Sequence, residues 1–283
     1  MGPGELGAIP LLAGKNNPLI RVIRKIAAQA RKAPADVVIA EGIRVLEEVT
    51  ALGCPLEAAL VSEAFGSRER EAALLHAWLS RGVPVRRGAA PVLKSLSDVM
   101  SFQGALALVT VPGRTLASME TEPPGLITVF CGLQDPGNLG TLLRTARAAG
   151  ASWAAATLET VSARNPKAIR ASAGAFFSLP IVEGLRPEEI LDHCRRHGIR
   201  MYRAAPSAAQ TCWTADLLGP VALFLGNEAR GLSDPPLGAI PAIGIPMAPG
   251  AESLNVAAAG AVLLFEAFRQ RTAAAASRRT KHE

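Results

Sequence analysis

Three short stretches in the second half of the chain carry residue types that could do chemistry. Gln134-Asp135-Pro136-Gly137-Asn138-Leu139-Gly140 follows an apolar run and opens a helical pattern with Arg144 one turn in. Glycines there allow close backbone approach, Asn138 can cap the helix, and a helix N-terminus offers N–H donors to a phosphate or other anion. Arg144 would project near that same anion. Taken alone, the stretch reads equally well as a capped strand-to-helix turn with a surface arginine. The second stretch, Leu225-Gly226-Asn227-Glu228-Ala229-Arg230-Gly231-Leu232, follows the apolar run 221–225 and is dense in Gly, charge and amide, at the end of a strand where open α/β sheets place ligands. The third runs from Ile245-Pro246-Met247 through Pro249-Gly250 to Glu252-Ser253-Leu254-Asn255, ahead of a long apolar helix that Ser253 or Asn255 could cap. A dinucleotide site would need GxGxxG between its first strand and helix, and no such fingerprint stands in that context.

The elements that must position these loops are legible from periodicity. Apolar runs at 37–40, 56–61, 83–85 and 105–111 predict strands, and 44–52 and 68–80 predict helices, together a small α/β domain over residues 1–112. Pro and Gly with polar residues between them mark 113–124 as a linker. A second α/β domain is expected over 125–271. Its strands fall at 126–130, 154–157, 199–202, 221–225 and 243–245. One helix starts near Asn138, with Leu139, Leu142, Leu143 and Ala146 on one face, and a last helix covers about 253–270. Residues 272–283 are expected to be a fraying basic tail.

Composition sets the class. Of 283 residues 49% are hydrophobic and 19% charged, the balance of a packed protein. A net charge of +6 favours a polyanionic partner. Its placement is more informative, because Lys15, Arg21, Arg24, Lys25, Arg31 and Lys32 cluster near the N-terminus. The four cysteines are widely spaced without a CxxC, so neither a disulfide framework nor a metal site is expected. The longest apolar run, 256–265, is short of the about 20 residues that a membrane span needs, and no signal pattern opens the chain. A cytoplasmic, reducing location is the expectation.

With these residues in view, the runs DPGNLGTLLRTARAAGA (135–151), FLGNEARGLS (224–233) and IPMAPGAESLNVAAAGAVLLFE (245–266) resemble the three ordered motifs of the SpoU, or TrmH-like, RNA 2′-O-ribose methyltransferases. NPKAIRASAGAFFSLPI (165–181) resembles the segment between the first two motifs. Asn17-Pro18, the stretch 38–45 and the pieces 96–98 and 103–104 resemble the RNA substrate-binding domain of some members, a fold shared with small ribosomal proteins. The resemblance implies an α/β chain in which a small N-terminal RNA-binding domain precedes a parallel-sheet domain with a deep trefoil knot.

It also implies S-adenosyl-L-methionine as cofactor, held by Leu225, Gly226, Ile245, Met247 and Leu254, with no metal. Methyl transfer to a ribose 2′-hydroxyl would fall to Arg144 and Asn138, then Asn255, Glu228 and Ser253. A guanidinium is effectively always protonated, so Arg144 is expected to bind the adjacent phosphate and stabilise charge on the 2′-oxygen while a phosphate oxygen or water takes the proton. Asn138 would orient the RNA or its own loop, Glu228 would hold the second loop and could also hold Arg144, and Ser253 and Asn255 would position the ribose and the knot backbone by hydrogen bonds. Ala257 departs from the pattern, since many relatives carry a small hydroxyl residue there. Arg21, Lys25, Arg31, Lys32 and Arg44 are the candidate RNA contacts. Members are usually homodimers built on the last helix. Ribosomal RNA is favoured over transfer RNA because the appended domain suits a long folded target. The alternatives are a non-catalytic RNA-binding or ribosome-assembly protein of the same fold, and a knotted enzyme that methylates a base.

Overall fold

Runs of Val, Ile, Leu and Ala too short for buried helices alternate with amphipathic stretches along the whole chain, and each half of the chain gathers its runs into its own sheet. The computed structural model describes residues 9–12, 17–29, 36–97, 102–120, 125–226, 232 and 235–279. In chain order the elements are α1 (Pro18–Gln29), β1 (Val37–Glu41), α2 (Ile43–Ala51), β2 (Leu56–Ser62), α3 (Glu69–Ser80), β3 (Val85–Gly88), α4 (Ala90–Lys94), β4 (Ala105–Thr110), α5 (Leu116–Met119), β5 (Leu126–Cys131) and α6 (Pro136–Ala148). They continue with β6 (Ala151–Thr157), α7 (Pro166–Ala171), α8 (Ala175–Ser178), β7 (Ile181–Leu185), α9 (Pro187–Arg196), β8 (Arg200–Ala204), β9 (Gln210–Thr211), β10 (Val221–Gly226), β11 (Ala242–Gly244) and α10 (Val256–Arg279).

The first compact unit comprises Met1–Gly113 and Arg164–Phe177. Its four strands lie in the order β1-β4-β2-β3, with β4 antiparallel to β1 and β2, and β3 parallel to β2. Helix α1 turns Ile20 and Ile23 onto Ile39, Leu60, Leu106 and Leu108. Each such side chain contributes about 1.5–3 kcal/mol by leaving water. The opposite face of α1 presents Arg21, Arg24 and Lys25 to solvent. Trp78 is fully buried, and its indole N–H donates to Thr50 Oγ1 at 2.9 Å, so its polar edge is satisfied.

Residues 164–177 belong to this unit, whereas the sequence pattern assigns all of 125–271 to one domain. Contacts formed far apart in sequence draw them there. Arg170 Nη1 lies 3.1 Å from the buried Glu41 carboxylate at the end of β1, and Ser97 donates to that carboxylate's other oxygen. Gly174 has φ +97°, and a Cβ there would sit 2.6 Å from Glu48 Cβ.

The second unit, Arg114–Ala163 and Ser178–Glu283, is built on seven parallel strands in the order β7-β6-β5-β10-β8-β11-β9. Central strands β5 and β10 are buried on both faces, as an all-parallel sheet requires, and Phe130, Trp153 and Phe224 anchor the core. Helix α10 lies on α6 and on β10.

Several boundaries differ from those the sequence predicts. Helix α6 starts at Pro136, because Asp135 rather than Asn138 is the cap: its carboxylate accepts the Asn138 N–H at 3.2 Å, and proline is favoured at the first helical position. Residues 113–124 hold a capped helical turn, α5, where only a linker is expected. Helix α10 runs from 256 to 279 and not from 253 to 270, since the Ala run at 273–276 has the highest helix propensity. Much of the expected tail is therefore helix. Strand β7 and helix α9 have no counterpart in the sequence prediction. Cys54, Cys131, Cys194 and Cys212 are free, and burial pushes the Cys131 and Cys194 thiols up to about 12. No described helix is long and apolar enough to cross a membrane.

Candidate active site

In a parallel sheet every strand delivers its C-terminal end to the same edge, and at that edge the first and third loops meet. Strand β5 ends at Cys131 and leads into the first loop and α6, while its neighbour β10 ends at Gly226 and leads into the second. Strand β11 ends at Gly244 and leads into 245–255, which forms neither helix nor strand before α10 begins. The sheet order reverses between β5 and β10, the position at which such sheets leave a crevice.

An apolar-walled cleft opens at this edge, beside Gly226 and the third loop. Leu225, Gly226, Ile245, Met247 and Leu254, the five positions expected to hold the cofactor, all line it. Ser253 lines it as well. The sequence pattern misses the rest of the wall: Ala204, Ala205 and Pro206 after β8, Ile243 in β11, and Val256, Ala259 and Leu263 on α10. A signal for the first three is present, because β8 itself is predictable and its C-terminal end must open onto this edge. The small residues after β8 pass close to β11, where a Cβ on Gly244 would come within 3.1 Å of the Ala205 carbonyl oxygen.

The polar residues sit at the rim. The Asn255 amide donates to Asn138 Oδ1 at 3.3 Å, joining the first and third loops across 117 residues of chain. The same Asn255 caps α10, its Oδ1 accepting the Ala257 N–H at 2.9 Å. Ala257 is buried under that cap, so the missing side-chain hydroxyl removes no bond that the cap needs. The first loop is held from below: the Gly132 N–H donates to Thr160 Oγ1 at 3.0 Å, and Gln134 Nε2 donates to the Glu159 carbonyl at 2.6 Å. Arg144, two turns into α6, is exposed and makes no hydrogen bond or ion pair among the described residues.

Glu228 lies outside the described residues, as do Arg31 and Lys32. Arg21, Lys25 and Arg44 are exposed on the first unit. The structure thus brings together Asn138, Ser253, Asn255 and the five cleft residues in one unit.

The chain matches the family model described as the SpoU rRNA Methylase family over residues 125–265. It is 31% identical over 269 residues to an uncharacterised tRNA/rRNA methyltransferase of Synechocystis sp., covering 94% of this chain and 96% of that protein. The chain belongs to the SpoU rRNA methylase family. The 23S rRNA (guanosine-2′-O-)-methyltransferase RlmB of Xanthomonas axonopodis pv. citri is 33% identical over 202 residues, which is 69% of this chain and 81% of that relative. Among solved structures, an AdoMet-bound rRNA methyltransferase from Sinorhizobium meliloti superposes with a TM-score of 0.79 at 25% identity, covering 92% of this chain and 97% of that one. The Synechocystis relative and the Sinorhizobium structure span the first unit of this SpoU chain as well as the second.

Proposed function

We propose that the protein transfers a methyl group from S-adenosylmethionine to a ribose 2′-hydroxyl of structured RNA, and that the RNA is ribosomal. The observation that carries this reading is the convergence of the apolar cleft with the Asn138–Asn255 contact at one sheet edge, beside a helix bearing the exposed Arg144. A cleft walled by Leu225, Ile245, Met247 and Leu254, with Gly226 leaving the backbone accessible, suits a flat adenine ring and a thioether chain. The cofactor supplies an electrophilic methyl on a sulfonium sulfur.

The chain's own residues must then bring a weak nucleophile to that methyl and manage its proton. Arg144 binds the phosphate next to the target ribose and stabilises negative charge as it develops on the 2′-oxygen. Asn138, held by Asn255, orients the ribose, and Ser253 supports it from the rim. With the methyl donor bound in the cleft, Arg144 and Asn138 would hold the 2′-hydroxyl toward it, and the hydroxyl proton would pass to a phosphate oxygen or water, since a guanidinium cannot accept it. Arg21, Lys25 and Arg44 hold RNA backbone on the first unit.

The same reading includes a threaded, knotted C-terminal part, supported by the way β11 passes β10 to pair beyond β8. It also includes pairing of two copies through α10. Phe265 and Phe268 are 48% and 41% exposed and stack edge-to-face on that helix, an apolar surface unusual for a free helix face. The test is methyl transfer from labelled S-adenosylmethionine to ribosomal RNA and, separately, to transfer RNA, followed by a nucleoside digest. A 2′-O-methylated nucleoside from ribosomal RNA supports the reading. A methylated base, label only in transfer RNA, or no transfer together with no cofactor binding each overturns the corresponding part.

A further inference from the structure

His193 and His197 stand one helical turn apart at the end of α9, the i, i+4 spacing that aims two imidazoles at one point. The sequence expectation of no metal overlooks this His-x-x-x-His pattern, His193-Cys194-Arg195-Arg196-His197; the third member, Glu120, lies far upstream, just after α5. Folding brings one nitrogen of each histidine and a Glu120 oxygen to within 4.8 Å of one another. His197 Nε2 is 3.8 Å from Glu120 Oε1, and the two imidazole centroids are 4.5 Å apart. A tetrahedral zinc with bonds of about 2.0–2.1 Å sets its ligand atoms roughly 3.3–3.4 Å apart, so small side-chain rotations close the site.

A second observation points the same way. His193 is 3% exposed, and its Nδ1 is shielded from solvent without a hydrogen-bond partner among the described residues. Buried imidazole nitrogens normally find one. Its ring is held edge-on to Trp153 at 5.4 Å, which fixes its direction. Arg196 also approaches Glu120, at 3.6 Å, and a bound cation would displace it.

We propose that Glu120, His193 and His197 form a divalent transition-metal site of the zinc class, with two nitrogens, one carboxylate oxygen and water as the fourth ligand. Imidazole with carboxylate suits zinc, cobalt or nickel better than magnesium or calcium. The site lies at the N-terminal edge of the sheet, since α9 leads into the start of β8 and Glu120 precedes β5, whereas the cleft is at the opposite edge. It is therefore a structural clip, holding the end of α5 against α9, and not part of methyl transfer.

The test uses the full chain stripped with a chelator and titrated with Zn²⁺ by calorimetry and with Co²⁺ by visible absorption. Wild type is expected to bind one Zn²⁺ per chain, to give the intense visible bands of tetrahedral Co²⁺, and to gain thermal stability from Zn²⁺. His197→Ala and Glu120→Gln, both at exposed positions, are expected to bind at least tenfold more weakly while keeping the wild-type circular dichroism spectrum. Absence of saturable binding overturns the proposal, as does binding that neither variant weakens. Methyl transfer should be equal with and without Zn²⁺, so loss of activity on stripping would overturn the structural role.

Discussion

At the residue scale, Arg144 and Asn255 make separable demands. Arg144 is exposed and has no partner among the described residues, so Arg144→Ala should leave folding and cofactor affinity intact while lowering kcat by about 10²–10³-fold, the usual cost of losing one charge-stabilising donor. Single-turnover transfer alongside cofactor titration measures both. Asn255 has two jobs, capping α10 with its oxygen and holding Asn138 with its nitrogen. Asn255→Asp keeps the cap and loses the donor, whereas Asn255→Ala loses both and should cost about 1 kcal/mol more in stability. If the amide contact orients the ribose, the two variants will be equally slow in methyl transfer yet differ in thermal midpoint. These residues were legible in the sequence because loops at the sheet's C-terminal edge carried them. The walls after β8 were not, since alanine and proline have no chemical signature apart from where they lie.

At the scale of elements, α10 settles close to α6 because position 260 has no side chain. A Cβ on Gly260 would fall 2.3 Å from Leu142 Cδ2 and 2.9 Å from Leu225 Cδ1. Gly260→Val should therefore destabilise by about 1–3 kcal/mol through overpacking. It should also weaken cofactor binding by pushing Leu225 into the cleft, which denaturant melts and cofactor titration report independently. Farther along α10, Glu266 is 5% exposed and accepts both arms of Arg269 at 2.8 Å, together with Gln270. The Arg269 hydrogen bond lowers its pKa from the ordinary 4.5, against burial, which raises it. Because the folded value is depressed, the stabilisation is present above the unfolded pKa and is lost as pH falls through the folded one. Thermal midpoints followed downward from about pH 5 should show wild type losing its advantage over Glu266→Gln. Parallel midpoints would remove Glu266 from the acid response. The strands at the heart of both sheets were predictable from their apolar runs, whereas β7 and α9 were not. Strand β7 carries Glu183 and Gly184 inside a five-residue run, and α9 mixes charge among its apolar positions, so neither shows clean periodicity.

At the scale of the whole molecule, two features decide what the chain is as an object. One is self-association. If α10 pairs two copies, Phe268→Asp should convert a dimer to a monomer in light scattering, whereas a wild type that is already monomeric would end that part of the reading. The other is the route of the chain, which leaves the second unit after Ala163, contributes residues 164–177 to the first, and returns at Ser178. The sequence could not show this excursion, because its anchors are long-range contacts: Arg170 to Glu41, and the glycine at 174 against Glu48. The Glu41 carboxylate is 3% exposed and relies on Arg170 and Ser97. Removing Arg170 alone leaves an ionised group buried without its counter-charge, a loss of about 2–4 kcal/mol for a pair this well shielded. Removing both charges spares that penalty, so Arg170→Met with Glu41→Gln should recover most of the stability that Arg170→Met loses. Denaturant melts of the four species complete the cycle. A coupling near zero would mean that apolar packing, and not the ion pair, holds residues 164–177 in the first unit. A large coupling would place the excursion under the control of one salt bridge. Proteolysis within 164–177 should then accelerate in Arg170→Met and slow again in the double variant.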